Sequence, residues 1–101
     1  MSKLPAIVLL GPGGLEAARR IAQAVPGAEL FGPSGLLGAE SEIVPYDALG
    51  PTLRDLFAAG RPIIALCASG IVIRILAPLI QEKGSEPPVV VVAEDGSVVV
   101  P

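Results

Sequence analysis

Ala65-Leu66-Cys67-Ala68-Ser69-Gly70-Ile71-Val72-Ile73-Arg74-Ile75-Leu76-Ala77-Pro78 reads as a buried strand that turns sharply into a buried helix. The apolar run 62–67 is the strand, Ser69 and Gly70 stand at the turn, and the helix is apolar nearly all round, with Arg74 its single charge. Pro78 has no N–H to donate and clashes with the carbonyl of Arg74, so a kink or restart is expected there, with helix continuing to about residue 83. In an α/β fold a strand-to-helix turn of this kind lies where ligands bind.

The flanking sequence repeats the pattern. Residues 6–10 are a short continuous apolar run ending at Gly11, the pattern of a buried strand, and Gly11-Pro12-Gly13-Gly14 is the turn after it. From 15 to 25 the apolar Leu15, Ala18, Ile21, Ala22 and Val25 share one helix face, while Glu16, Arg19, Arg20 and Gln23 lie on the other. Glu16 and Arg20 make a favourable i, i+4 pair, and Pro26-Gly27 stops the helix. Residues 28–31 predict a second strand. Residues 32–42, rich in Gly and Ser with one Pro, predict a mobile loop. Ile43-Val44-Pro45-Tyr46 reads as a strand fragment. Gly50-Pro51 starts a helix with Pro at the first helical position, Leu53, Leu56 and Phe57 form its buried face, and Gly60 closes it.

Residues 89–93 are too rich in Val to prefer helix. Asp95-Gly96 is a two-residue hairpin signal, and residues 98–100 would return antiparallel. Strands alternating with helices predict an α/β fold: three α/β/α layers around a mainly parallel sheet with right-handed crossovers, and a C-terminal β-hairpin at its edge. The 101 residues argue for one domain spanning 1–101, with a modest core. Because the chain stops at Pro101, just after an open Val-rich edge, it is expected to be a fragment of a longer protein or to have that edge covered.

Composition narrows the chemistry. Hydrophobic residues make up 51% of the chain and mean hydropathy is +0.69, yet aromatics are 3% and Trp is absent. The core must be built from Ala, Val, Ile and Leu, as in a parallel sheet covered by helices. No apolar run reaches the about 18 residues of a membrane span, and the start lacks the apolar core of a signal peptide. With one Cys, a reducing, cytoplasmic setting is expected. The formal charge is −3 and Arg19-Arg20 is the single basic pair, which argues against nucleic-acid binding. The absence of His excludes Ser–His and Cys–His catalysis within the chain and argues against a zinc site.

Two turns could hold a ligand. At the first, Gly11 and Gly13 fit Gly-x-Gly-x-x-Gly, but position 16 is Glu, whose carboxylate would meet a pyrophosphate. The glycines then either let the helix pack close or expose Gly13 and Gly14 to another anion. At the second, Ser69 either caps the helix or joins Gly70 and the positive helix end in holding a carboxylate or phosphate. Arg74 either points back to that ligand or pairs with a neighbouring acid, because an unpaired buried charge is costly. Cys67 reads as a small buried hydrophobe. Glu94-Asp95 reads as a solvated turn rather than a catalytic pair, and Lys83 and Glu86 as surface loop.

At this point the residues resemble a known family. Residues 66–79 are similar to the N-terminal domain of the CbiG family of cobalamin biosynthesis. The pattern continues with Lys83, Glu86-Pro87-Pro88-Val89-Val90-Val91-Val92, Glu94-Asp95-Gly96 and Val99-Val100-Pro101. The opening Leu10-Gly11-Pro12-Gly13-Gly14-Leu15, with Ala18-Arg19-Arg20-Ile21-Ala22, resembles the subset fused ahead of a precorrin-3B methyltransferase acting on ring carbon 17. The resemblance implies a role in making the corrin ring of vitamin B12, where members open a lactone on a cobalt-precorrin and release acetaldehyde. It also implies a precorrin ligand for Ser69, Gly70, Arg74, Gly13 and Gly14. It carries no catalytic residue onto this chain, because the family pattern runs on past Pro101 into a Gly-rich segment. No cofactor is expected in this domain; S-adenosylmethionine would belong to a fused methyltransferase domain. The alternative is a non-catalytic module that docks that domain or another subunit, or self-associates, through residues 98–100.

Overall fold

The apolar runs become strands of one sheet. The computed structural model describes residues 4–35, 43–67, 69–79, 87–92 and 98–99. β1 (Ala6–Leu9), β2 (Glu29–Pro33), β3 (Ile43–Tyr46), β4 (Ile63–Leu66), β5 (Val89–Val92) and β6 (Val98–Val99) lie in the order β3-β2-β1-β4-β5-β6. β1 to β5 are parallel, and β6 runs antiparallel to β5. The helices are α1 (Leu15–Ala24), α2 (Leu49–Ala58) and α3 (Ser69–Leu76).

The layers follow from the direction of travel. The step from β1 through α1 to β2 goes one way along the sheet, and the step from β4 through α3 to β5 goes the other. Right-handed crossovers then place α1 and α3 on opposite faces. Side chains alternate across a strand, so β1 serves both layers. Ile7 and Leu9 pack with Ala17 and Ala18 of α1, together with Leu30, Leu66 and Val92. Ala6 and Val8 pack with Leu53, Leu56 and Phe57 of α2 and Val72 and Leu76 of α3. This is the predicted α/β/α sandwich with a mainly parallel sheet, and its central strands are apolar throughout because both faces are covered.

The helix stops are as read. The Val25 N–H donates to the Ile21 carbonyl at 2.9 Å, and Gly27 turns at φ +81. After α2, Gly60 sits at φ +77, its N–H donates to Phe57 and that of Arg61 to Leu56. That pair of bonds is the Schellman ending, which needs a left-handed residue and so selects glycine.

Four local readings change. Gly32 and Pro33 are strand rather than loop, because β2 extends to pair Gly32 with Pro45 and Pro33 with Tyr46. The fragment at 43–46 is a full strand; it tolerates Pro45 because β3 is at the sheet edge. α2 starts at Leu49, so Pro51 is its third residue. It still lies within the first turn, where N–H groups lack helical partners. Finally, α3 is not buried all round: Val72 and Leu76 are inside, but Ile73 is 50% exposed and Arg74 is exposed. The burial penalty argued for Arg74 therefore does not arise. At Pro78 the chain tightens into a 3-10 turn, Ala77–Leu79. The continuation toward residue 83, residues 36–42 of the predicted loop, the Glu94-Asp95-Gly96 turn and Val100 lie outside the described residues.

Candidate ligand site at the C-terminal edge of the sheet

β1 is the strand at which chain direction reverses. It pairs with β2 up to Val8↔Phe31 and with β4 up to Leu9↔Leu66. Beyond those pairs, β1 leaves toward α1 on one face and β4 toward α3 on the other. Neighbouring strands are about 4.8 Å apart, so the two turns singled out in the sequence start side by side and then diverge. That is the crevice in which open α/β sheets bind ligands.

The glycines of the first turn divide their work. Gly14 is buried, and a Cβ there would lie 3.2 Å from Leu66 Cδ2 and 3.3 Å from Leu9 Cδ2. It is glycine so that the start of α1 can press on β1 and β4. Gly13 is exposed and offers bare backbone at the crevice. No side chain caps α1 at Gly14 or α2 at Ala48. α2 starts from the same edge, since it follows the end of β3. All three helices therefore start on this edge with their positive dipole ends, α1 and α3 beside the switch point and α2 two strands away at the end of β3.

α3 begins at Ser69-Gly70, but the capping role read for the Ser69 hydroxyl lies outside what the structure describes. Arg74 is in the last turn of α3, about 7.5 Å along the axis from Ser69. It already has an interaction of its own. Cys67 is buried in the core cluster that holds α2 and α3.

One residue at this edge was missed by sequence reasoning. The Tyr46 hydroxyl donates to the Leu9 carbonyl at 2.6 Å, tying edge strand β3 to the end of β1 across β2. Burial, and then the nearby Cys67 thiol, push its phenol above the usual 10.0. The available signal was its being the only Tyr of a chain with 3% aromatics, at the end of an apolar run. Beside it, the Ser34 hydroxyl donates to Asp47 Oδ1 at 3.0 Å, and the Ser34 N–H to the Tyr46 carbonyl at 2.8 Å. Asp47 and the exposed Glu16, 3.6 Å from Arg20, are acids bordering the edge.

Other features carry less. An open groove of about 350 Å³, lined by Arg19, Ala22, Gln23 and Leu30, lies on the flank of α1 and away from the crevice. Among the described residues, no group of His, Cys, Asp and Glu gathers to hold a metal ion, and no helix is long and apolar enough to cross a membrane.

Residues 51–101 match the family described as Cobalamin synthesis G N-terminal. The matched segment contains β4, α3 and the second turn, but not the glycine turn after β1. The chain is also 36% identical over 96 residues to a cobalt-precorrin-5A hydrolase of Salmonella typhimurium, a match covering 94% of this chain. It spans about a quarter, 26%, of that relative's length. No solved structure matches.

Proposed function

Because the chain belongs to the Cobalamin synthesis G N-terminal family, and so to cobalamin biosynthesis, we propose that the C-terminal edge of its sheet binds the peripheral carboxylates of a cobalt-precorrin. The observation that carries this reading is that α1 and α3 start from the two strands that meet at the switch point of the sheet, α1 without a side-chain cap, while α2 starts from the same edge at the end of β3. Carboxylates are the ligands that unpaired N–H groups and positive helix ends favour. A precorrin presents several of them around one ring.

In this reading Gly13 and the Ser69-Gly70 turn offer backbone donors, Gly14 keeps α1 close enough to contribute, and Arg74 takes an outer carboxylate. Glu16 and Asp47 restrict the pose, because a carboxylate next to either would be repelled. The related hydrolase acts on cobalt-precorrin-5A by name, and this chain is proposed to supply binding for a reaction of that class. A methyltransferase acting on ring carbon 17, with its S-adenosylmethionine, would belong to a different domain; that reading rests on the Leu10–Leu15 opening. A second role, assembly through the edge, rests on β6 being an outermost strand. A concentration-independent monomer in light scattering would count against it.

The direct test is a titration with uroporphyrin, a tetrapyrrole ringed with carboxylates, followed by its visible absorbance. Saturable binding is expected, weakened about tenfold by Gly13→Asp, which puts a like charge at the start of α1. No binding, or binding indifferent to Gly13→Asp, contradicts the proposal.

A further inference from the structure

We infer that Tyr46 is a positioning residue of this site: its hydroxyl holds the end of β1, and through it the glycine turn, in the shape that receives the ligand. The inference rests on the binding reading above, but its geometry is independent of it. Leu9 is the last residue of β1, and the chain enters the 3-10 turn Pro12–Gly14 three residues later. The Tyr46 donor reaches the Leu9 carbonyl from a strand 37 residues away in sequence. It must span about 9.6 Å, two strand spacings, to do so. The ring packs against the core cluster that holds α2 and α3, and Cys67, just past the end of β4, is near enough to act on its phenol. One side chain thus bonds the end of β1 and lies near the end of β4. With its proton on Leu9, the hydroxyl oxygen keeps lone pairs and can accept from a ligand but not donate to it.

The contrast within the fold sharpens this. At the opposite edge, Arg61 holds its strands together through Glu29 and the Leu4 carbonyl. Both are cross-strand ties, but only that of Tyr46 ends beside a ligand turn. A purely structural tie and a positioning tie differ in what their loss does at residues 10–14.

The experiment compares Tyr46→Phe with Arg61→Gln in the full chain. NMR amide exchange without ligand is measured at residues 10, 11, 13 and 14, and uroporphyrin affinity is measured on both variants. Tyr46→Phe is expected to speed exchange at those amides about fivefold and to weaken uroporphyrin about fivefold, the scale of one neutral hydrogen bond. Arg61→Gln is expected to leave both unchanged. Unaltered exchange in Tyr46→Phe, or equal effects of the two variants, overturns the inference. If the wild-type chain fails to bind uroporphyrin, the binding reading falls while exchange still decides the role of Tyr46. Should Tyr46→Phe not fold, the carbon-13 signal of the Tyr46 ring in the wild type replaces it. In the uroporphyrin-saturated complex its phenol titration must move further upward, because added carboxylates disfavour the phenolate; an unmoved titration in that complex overturns the inference.

Discussion

The two ends of the sheet are built on opposite plans. At the N-terminal edge polar groups satisfy one another: Arg61 donates to the Leu4 carbonyl at 2.8 Å, pairs with Glu29, and lies 5.5 Å from the centre of the Phe31 ring. The left-handed glycines that stop α1 and α2 lie there too. At the C-terminal edge α1 and α2 start without side-chain caps, and Gly13 leaves backbone bare. The first end closes on itself, whereas at the second the ties from Tyr46 to Leu9 and from Ser34 to Asp47 stand beside helix starts with no side-chain cap.

The largest expected effect should ignore the distinction. Leu66 is fully buried in the central strands, and Leu66→Ala should cost about 2–5 kcal/mol in urea unfolding. A smaller loss would mean that the core is looser than its packing shows. Next come two glycines that separate the ends. Gly14→Val should cost about 1–3 kcal/mol by crowding Leu66 and Leu9 and should also weaken tetrapyrrole binding. Gly60→Ala should cost about 1–2 kcal/mol, the strain of a left-handed residue, with binding intact. Equal effects of the two on binding would erase the contrast.

Those substitutions mark what was legible. β1, β4 and β5 were readable because strands buried on both faces are unbroken apolar runs, and the stops at Gly27 and Gly60 because left-handed turns select glycine. The buried face of α2 was readable from Leu53, Leu56 and Phe57. β2 was read short, because Gly32 and Pro33 carry loop signals that pairing with β3 overrides. The exposure of Ile73 and Arg74 depends on how α3 meets α2 and the sheet, which local periodicity does not contain. At the site, both turns were found from strand–helix junctions. Their side-by-side placement required the strand order, and the Tyr46 tie joins residues 37 apart with no local signature.

Tyr46→Phe should cost about 0.5–1.5 kcal/mol, the net worth of one neutral hydrogen bond. The smallest effect is in pH. The folded-state phenol is raised above 10.0, so the folded chain holds its proton more tightly than the unfolded chain. The stability this adds is fully present below 10.0 and is lost as pH rises through the folded value. Unfolding measured across that range should show the loss in the wild type and not in Tyr46→Phe. The same slope in both would place its origin elsewhere.

Whether the ligand sits at the C-terminal edge is decided by following the backbone amide NMR signals of the chain during a uroporphyrin titration. Saturable shifts are expected at the non-proline residues of 11–16, 49–52 and 69–72, with Gly27, Gly60 and Arg61 unmoved. Shifts centred on Gly27, Gly60 and Arg61, or none at saturating ligand, would place the ligand elsewhere or nowhere on the chain.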